Sequence, residues 1–216
     1  MMTLYSYFRS SAAFRVRIAL NYKNVPYEIK PVHLLRDGGE QLRPAYKAIN
    51  PQGLVPALID QGIVLTQSLA IIGYLEELYP TPALLPQTTP IARAQVRAFA
   101  LAIACEMHPL NNRRVWNYLS DPLELDEEKK IIWYHHWLRE GFTALEKMLT
   151  QAGQGSCFCF NDSFSIADVC LIPQVYNAHR FKFDMQAFPL LEKIYQHCLN
   201  EPYVMKAHPD AQPDAE

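Results

Sequence analysis

The chain has 216 residues, half of them hydrophobic and 19% charged, which suits one large or two small cores in water. A net charge of −2 leaves no electrostatic footprint for nucleic acid or an anionic membrane surface. No apolar run approaches the ~20 residues that span a bilayer, and Met-Met-Thr-Leu-Tyr-Ser-Tyr at the N-terminus lacks the basic and apolar regions of a secretory leader, so a cytoplasmic location is expected.

Leu4 to Phe8 reads as a strand. Ser10 follows as a good helix N-cap, and Ala12, Val16, Ala19 and Leu20 fall on one apolar stripe of a helix over Ser11 to Tyr22. A helix start with unpaired N–H groups, a positive dipole end and two adjacent hydroxyls, Ser10 and Ser11, is a place to hold an anion, such as a thiolate carried by a cofactor. An ordinary cap after a strand would use the same residues. Tyr27 to Val32 alternates as a second strand, which makes a right-handed βαβ unit with parallel strands. Residues 36–53 are polar and rich in Gly and Pro, an irregular loop with a turn of helix. Leu54 to Ile59 and Ile63 to Leu65 flank Asp60-Gln61-Gly62 as a tight hairpin. Pro56 is either a cis proline marking a functional turn or a trans proline opening a strand. Ser68 is expected to cap a helix with Leu69, Ile72, Leu75 and Leu78 or Tyr79 at helical spacing, stopped by Pro80. The order describes a small mixed sheet with helices on its faces.

Pro80 to Pro90 is a proline-rich connector, and the remainder is helical. The spacing predicts a helix from Ile91 to about Leu119 interrupted at Pro109, and another from Leu125 to Ala152. A third opens on the capping-box layout Ser165-Ile166-Ala167-Asp168 and runs to Arg180 with a kink at Pro173. The last spans Ala187 to Leu199 before a polar tail. The expected domains are therefore 1–82, a linker at 83–90, and an all-helical 91–216.

The five cysteines, an odd number, form no Cys-x-x-Cys pair, so free, reduced thiols are expected. Tyr134-His135-His136-Trp137 places adjacent histidines on a helix, where they diverge, and no metal is expected. His108-Pro109-Leu110-Asn111-Asn112-Arg113-Arg114 is a polar cluster where a helix should bury apolar residues, with His108 and Asn112 four apart and expected on one face.

A thioredoxin-like α/β domain, a proline linker and an all-helical domain together resemble the glutathione transferase fold, over nearly the whole chain. Val55-Pro56 falls at that family's cis-proline, Gln67-Ser68 at the opening of the following helix, and Ser165-x-x-Asp168 at the capping motif of its second domain. Tyr-Ser-Tyr-Phe-Arg-Ser-Ser-x-x-x-Arg-Val-Arg-Ile-Ala-Leu is similar to the zeta class, which includes maleylacetoacetate isomerases, as are Asn50-Pro51-Gln52 and Ile172-Pro173-Gln174-Val175-Tyr176-Asn177-Ala178-His179-Arg180-Phe181. The zeta motif is normally Ser-Ser-Cys; here Ala12 stands for the cysteine and Phe14 for a tryptophan. Bacterial maleylpyruvate isomerases, close relatives, also lack that cysteine.

The resemblance implies glutathione as cofactor, with Ser10 the principal catalytic hydroxyl and Ser11 in support. Glutathione would be held by Ser10, Ser11, Gln41, Val55, Pro56, Gln67, Ser68, His108 and Asn112. Arg9, Arg114 and Arg180 would hold the carboxylates of a small dicarboxylate substrate. Arg113 reads as a surface charge, Arg15 and Arg17 as structural or dimer-interface residues, and Tyr5 and Tyr7 as parts of the sheet. The implied activity is isomerisation of maleylacetoacetate to fumarylacetoacetate in tyrosine and phenylalanine breakdown, by a homodimer. Alternatives are the same reaction on maleylpyruvate in gentisate-type catabolism, a zeta-like transferase or dehalogenase, and a non-catalytic glutathione transferase-fold binding module.

Overall fold

The computed structural model describes residues 1–216 except 152, 154, 161 and 162. It divides into two compact units, one of Met1–Ala83 with Asn200–Glu216 and one of Leu84–Leu199.

In the first unit, strands β1 (Met2–Ser6), β2 (Tyr27–Pro31), β3 (Ala57–Asp60) and β4 (Ile63–Thr66) form one sheet in the order β2-β1-β3-β4. β1 and β2 are parallel, as the intervening helix α1 (Ser11–Tyr22) requires; β3 and β4 are antiparallel to their neighbours. Gln61 and Gly62 close the β3–β4 hairpin with φ of 49° and 80°, the pair of positive values whose twist matches the flanking strands. α1 and α3 (Ser68–Leu78) bring Val16, Ile18, Leu20, Ile71, Ile72 and Leu75 against Leu4 and Leu58, all buried. Each such side chain contributes about 1.5–3 kcal/mol by leaving water.

Two strand ends differ from expectation. β1 stops at Ser6 because Ser10 N–H turns back to the Tyr7 carbonyl (2.9 Å) and Phe8 N–H leaves the sheet for an Asp214 carboxylate oxygen (3.0 Å). β3 starts at Ala57 because Pro56 brings no N–H to the ladder; the Val55–Pro56 bond is cis. Residues 36–53 contain only short 3₁₀ turns and the four-residue helix α2 (Pro44–Lys47).

The C-terminal tail, expected within the helical domain, belongs to the first unit. It contains a helix of six residues, here numbered last as α9 (Pro202–Ala207), which packs on α1 through buried Val204 and Ala207. Six residues, under two turns, carry too little periodicity for a helix to be read from sequence.

The second unit begins with Leu84, expected to be linker but buried, its carbonyl accepting from Ile166 N–H (2.9 Å). Helix α4 (Pro90–Leu101) passes into a π-helical turn over Ala102–Met107, where His108 N–H bonds to the Ile103 carbonyl five residues back (2.9 Å). Met107 then packs on Gly141, where a Cβ would lie 2.4 Å from the Met107 side chain. Pro109 ends the helix, and α5 (Arg113–Ser120) starts anew with Asn112 as its cap. α6 (Glu127–Gln151) follows; the expected end at residue 152 lies outside the described residues.

α7 (Ile166–Arg180) is buried continuously from Ile166 to Val175 and packs against α4 and α8 (Pro189–Cys198). Its capping box forms as expected. Ser165 Oγ accepts from Ala167 N–H (3.3 Å), and the Asp168 carboxylate accepts from Ser165 N–H and Oγ–H (2.9 Å each) and from Cys159 N–H (2.7 Å). Pro173 is accommodated within the helix. The cysteines are free, and no helix among the described residues is long and apolar enough to cross a membrane.

Candidate functional site

In the first unit, strand register decides where the loops go. Tyr5 pairs with Ala57, Ser6 with Pro31 and Ala57 with Thr66. The segments after β1, after β2, before β3 and after β4 therefore leave the sheet at one edge. They carry Arg9, Ser10 and Ser11; Gln41; Val55 and Pro56; and Gln67 and Ser68.

After β1, Ser10 caps α1: its Oγ accepts from Ala13 N–H (3.2 Å), and its carbonyl takes the first helical bond from Phe14 (2.8 Å). A hydroxyl that accepts as a cap still has its own proton to donate. Ser11 is buried beside it, and Arg9 rests its guanidinium 4.7 Å from the Phe8 ring centroid, with no ion pair among the described residues.

Before β3, the Leu54 carbonyl accepts from Tyr46 Oη–H (2.8 Å) and Asn50 Nδ2–H (2.7 Å), which fixes the segment running into Val55. Burial raises the Tyr46 phenol well above its usual pKa, so it stays a donor. Val55 is buried, yet its main-chain N–H and carbonyl enter no hydrogen bond among the described residues. Buried peptide groups are nearly always paired, so an extended peptide laid against Val55 would complete an unfinished ladder.

After β4, Gln67 adopts φ 67° and turns the chain into α3, whose N-terminus has no side-chain cap. The N–H groups of Ser68, Leu69 and Ala70 are left for a ligand. Arg15, 1% exposed, donates to Ser68 Oγ (3.5 Å) and sets a buried positive charge beside that helix end. A carboxylate fits there. Gln67 Nε2 donates to Gln52 Oε1 (2.8 Å), and Gln41 Oε1 is buried without a partner among the described residues. A thiol at α1, a peptide at Val55 and a carboxylate at α3 match the three chemical parts of glutathione.

Arg15 and Arg17 are interior residues of this unit. Arg17, fully buried, donates to the carbonyls of Tyr7 (3.3 Å), Phe8 (2.9 Å) and Ala207 (3.0 Å) and to Ser6 Oγ (2.9 Å). Arg15's reach to Ser68 was not visible in sequence. The Arg-x-Arg spacing on an otherwise apolar helix was its one signal.

In the second unit, the expectation of His108 and Asn112 on one helix face fails. Pro109 separates them, and the Asn112 side chain accepts from Arg114 N–H (3.1 Å) as the α5 cap. Arg113 and Arg114 are exposed on the first turn of α5. Arg180, exposed at the end of α7, donates to Asn177 Oδ1 (2.9 Å) and lies 5.7 Å from the Phe181 ring centroid. Trp116 of α5 packs 5.4 Å from Phe181, and Phe181 stacks on Tyr134 at 4.0 Å. This aromatic cluster brings the elements bearing Arg114 and Arg180 together. Burial raises the Tyr134 phenol above its usual pKa, with the Arg180 charge partly opposing. His135 bonds through Nε2 to the Phe181 carbonyl (2.8 Å), and no group of three His, Cys, Asp or Glu among the described residues is placed to hold a metal.

The glutathione S-transferase N-terminal domain family matches residues 4–83, and the corresponding C-terminal domain family matches residues 132–197. A probable maleylacetoacetate isomerase of Vibrio cholerae is 48% identical over 99% of this chain and 98% of its own length. The holo structure of a maleylpyruvate isomerase, described as a bacterial zeta-class glutathione S-transferase, superposes with TM-score 0.94 at 44% identity, covering 99% of this chain and 100% of its own. A maleylacetoacetate isomerase of Methylobacterium extorquens AM1, solved with malonate and glutathione bound, gives TM-score 0.93 at 42% identity over 99% of both chains. The chain belongs to the zeta-class glutathione S-transferase family of maleylacetoacetate and maleylpyruvate isomerases.

Proposed function

We propose that this protein is a glutathione-dependent cis-trans isomerase that converts maleylacetoacetate to fumarylacetoacetate in tyrosine and phenylalanine breakdown. The observation that carries the reading is the sheet edge described above, where a capped helix start, an unpaired buried peptide and an uncapped helix start beside Arg15 lie on neighbouring loops. Bound glutathione supplies a thiolate that adds reversibly to the double bond, frees it to rotate and is expelled unchanged.

The protein's part is to keep the thiol ionised and the substrate oriented. A free thiol titrates near ~8.5, so the site must favour the anion. In this proposal Ser10 Oγ–H donates to the sulfur, Ser11 supports it, and the α1 N-terminus adds its partial positive charge. Val55 pairs with the peptide, Pro56 shapes that segment, Gln67 and Ser68 bind the γ-glutamyl carboxylate, and Gln41 is a further glutathione contact. His108 and Asn112 complete the glutathione contacts. Arg9, Arg114 and Arg180 neutralise the substrate carboxylates and the enolate that develops as the thiolate adds.

A second reading, the same chemistry on maleylpyruvate, is favoured by the 44% identity to the holo maleylpyruvate isomerase. Both substrates should be followed spectrophotometrically with glutathione at substoichiometric concentration. Turnover exceeding the glutathione supplied is expected, and the faster substrate decides between the readings. Consumption of one glutathione per substrate would instead mean transfer.

The proposal includes a cytoplasmic homodimer, in which exposed Ile63 and Val64 on edge strand β4 are natural candidates for coverage. Light scattering of the purified chain tests it.

A further inference from the structure

The loop that presents Ser10 is held from behind by the far end of the chain. Phe8 N–H donates to Asp214 Oδ2 (3.0 Å), while the Tyr7 and Phe8 carbonyls accept from Arg17 (3.3 and 2.9 Å). Arg17 Nε in turn donates to the Ala207 carbonyl (3.0 Å). Both ties therefore end in the tail. The tail is braced: Gln212 Nε2 donates to the Lys206 and His208 carbonyls (3.0 and 2.8 Å), and Glu216 accepts from Arg36 Nη2 (2.9 Å) with His33 Nε2 3.2 Å away.

Asp214 is the informative member. Its carboxylate sits two residues from Ser10 in the bonding pattern, and its second oxygen, Oδ1, is buried without a partner among the described residues. A negative charge near a thiol disfavours the thiolate. On charge alone Asp214 opposes the proposed chemistry, so its contribution has to be geometric. We propose that Asp214 is a positioning residue, whose hydrogen bond to Phe8 N–H holds the Tyr7–Ser10 loop so that the Ser10 hydroxyl and the α1 N-terminus meet the sulfur together. This rests on the thiolate reading above, and it makes the last residues of the chain part of the active-site frame.

Position and charge predict shifts of opposite sign. Bound glutathione would be titrated through its ultraviolet thiolate absorbance in full-length wild type, Asp214→Ala, Asp214→Asn and Asp214→Glu, with KM for glutathione and thermal melting measured alongside. Asp214→Ala is expected to raise the bound thiol pKa by about one unit and KM by about tenfold. Asp214→Asn keeps an acceptor for Phe8 N–H and should stay within about 0.3 unit of wild type. Asp214→Glu keeps the charge but displaces the acceptor, and it should also raise the pKa; it answers the question if the alanine variant does not fold. A lower melting temperature with an unchanged pKa, or a pKa that falls, overturns the proposal. A wild type whose bound glutathione titrates like the free thiol overturns the thiolate reading itself, and the role of Asp214 with it. A depressed wild-type value that Asp214→Ala leaves in place overturns the role of Asp214 alone.

Discussion

Ser10 has two duties that a set of substitutions separates. As a cap it accepts from Ala13 N–H; as the proposed thiolate donor it gives its own proton to sulfur. Ser10→Ala removes both. Loss of the cap costs about 1 kcal/mol of stability, a fall in Tm of about 2–4 °C for a chain of this size. Loss of a hydrogen bond to a charged group is worth about 1.5–3 kcal/mol, or about 1–2 pKa units at 1.36 kcal/mol each. A bound thiol moved from about 6.5 to about 8.5 drops from about 90% to about 10% thiolate near pH 7.5, roughly tenfold in turnover. Ser10→Gly removes the hydroxyl with only a few tenths of a kcal/mol of cap loss, and Ser10→Asp keeps the cap but sets a like charge beside the sulfur. Expected turnover therefore ranks Ser above Gly and Ala, with Asp lowest, while Tm ranks Ser and Asp above Ala. Melting curves and the pH dependence of turnover read the two orders independently. If Ser10→Ala lowers Tm and leaves the pH profile in place, Ser10 is a cap only, and the donor role passes to Ser11.

Ser68→Ala should raise KM for glutathione about tenfold with kcat at saturation nearly unchanged, since the proposed site sets its hydroxyl at the carboxylate end of the cofactor; a fall in kcat alone would place Ser68 nearer the sulfur. Burial, with the Arg17 charge in addition and Asp210 opposing, holds the His208 imidazole below its usual pKa. The unfolded chain then takes up the proton first, so this contribution is complete above about pH 6.5 and declines as pH falls through that value toward the folded pKa. Denaturant titrations should accordingly show His208→Asn flattening the acid-side loss of stability, and an unaltered pH dependence would assign that loss elsewhere. Gly141→Ala drives a Cβ into Met107 and should cost about 1–3 kcal/mol, read as a Tm fall of about 2–12 °C; an unchanged Tm would mean that Met107 repacks freely.

Legibility in the sequence followed the range of the interactions that shape each element. α1 and α7 were readable because cap and apolar stripe lie within a few residues of one another, α3 from its apolar stripe and the stop at Pro80 although Ser68 proved to be its first residue and not its cap, and the β3–β4 hairpin because Gln61-Gly62 is local turn chemistry. Ser10 as a cap and Gln67-Ser68 as a helix opening belong to the same category. The end of β1 was not readable, since Phe8 N–H is claimed by Asp214 from 206 positions away. Nor was the π turn before Pro109, which depends on Met107 finding space at Gly141 on α6. The break at Pro109 removed the helix on which His108 and Asn112 were to share a face. Arg15 was read as structural, and it is buried, but its partner Ser68 lies 53 positions away and only the fold places it within reach.

These long-range ties bear on the substitution that departs most from the zeta pattern. Ala12 occupies the second position of α1, half-buried, where the family motif carries a cysteine. Without that auxiliary thiol, stabilisation of an anion at α1 falls to a hydroxyl proton, N–H groups and the helix dipole. All three are directional or fall off within a turn, so their value depends on where the loop is held. Five buried polar groups of the first unit lie behind that edge: Arg17 and Ser6 under the β1–α1 loop, Asn50 under the segment entering Val55, and Arg15 with Ser68 at α3. Burying them unpaired would be destabilising, and here each is tied to a backbone or side-chain atom of a loop that carries a proposed ligand. The fold thus spends its interior polar groups on loop geometry, which is the requirement a site built from fixed dipoles imposes.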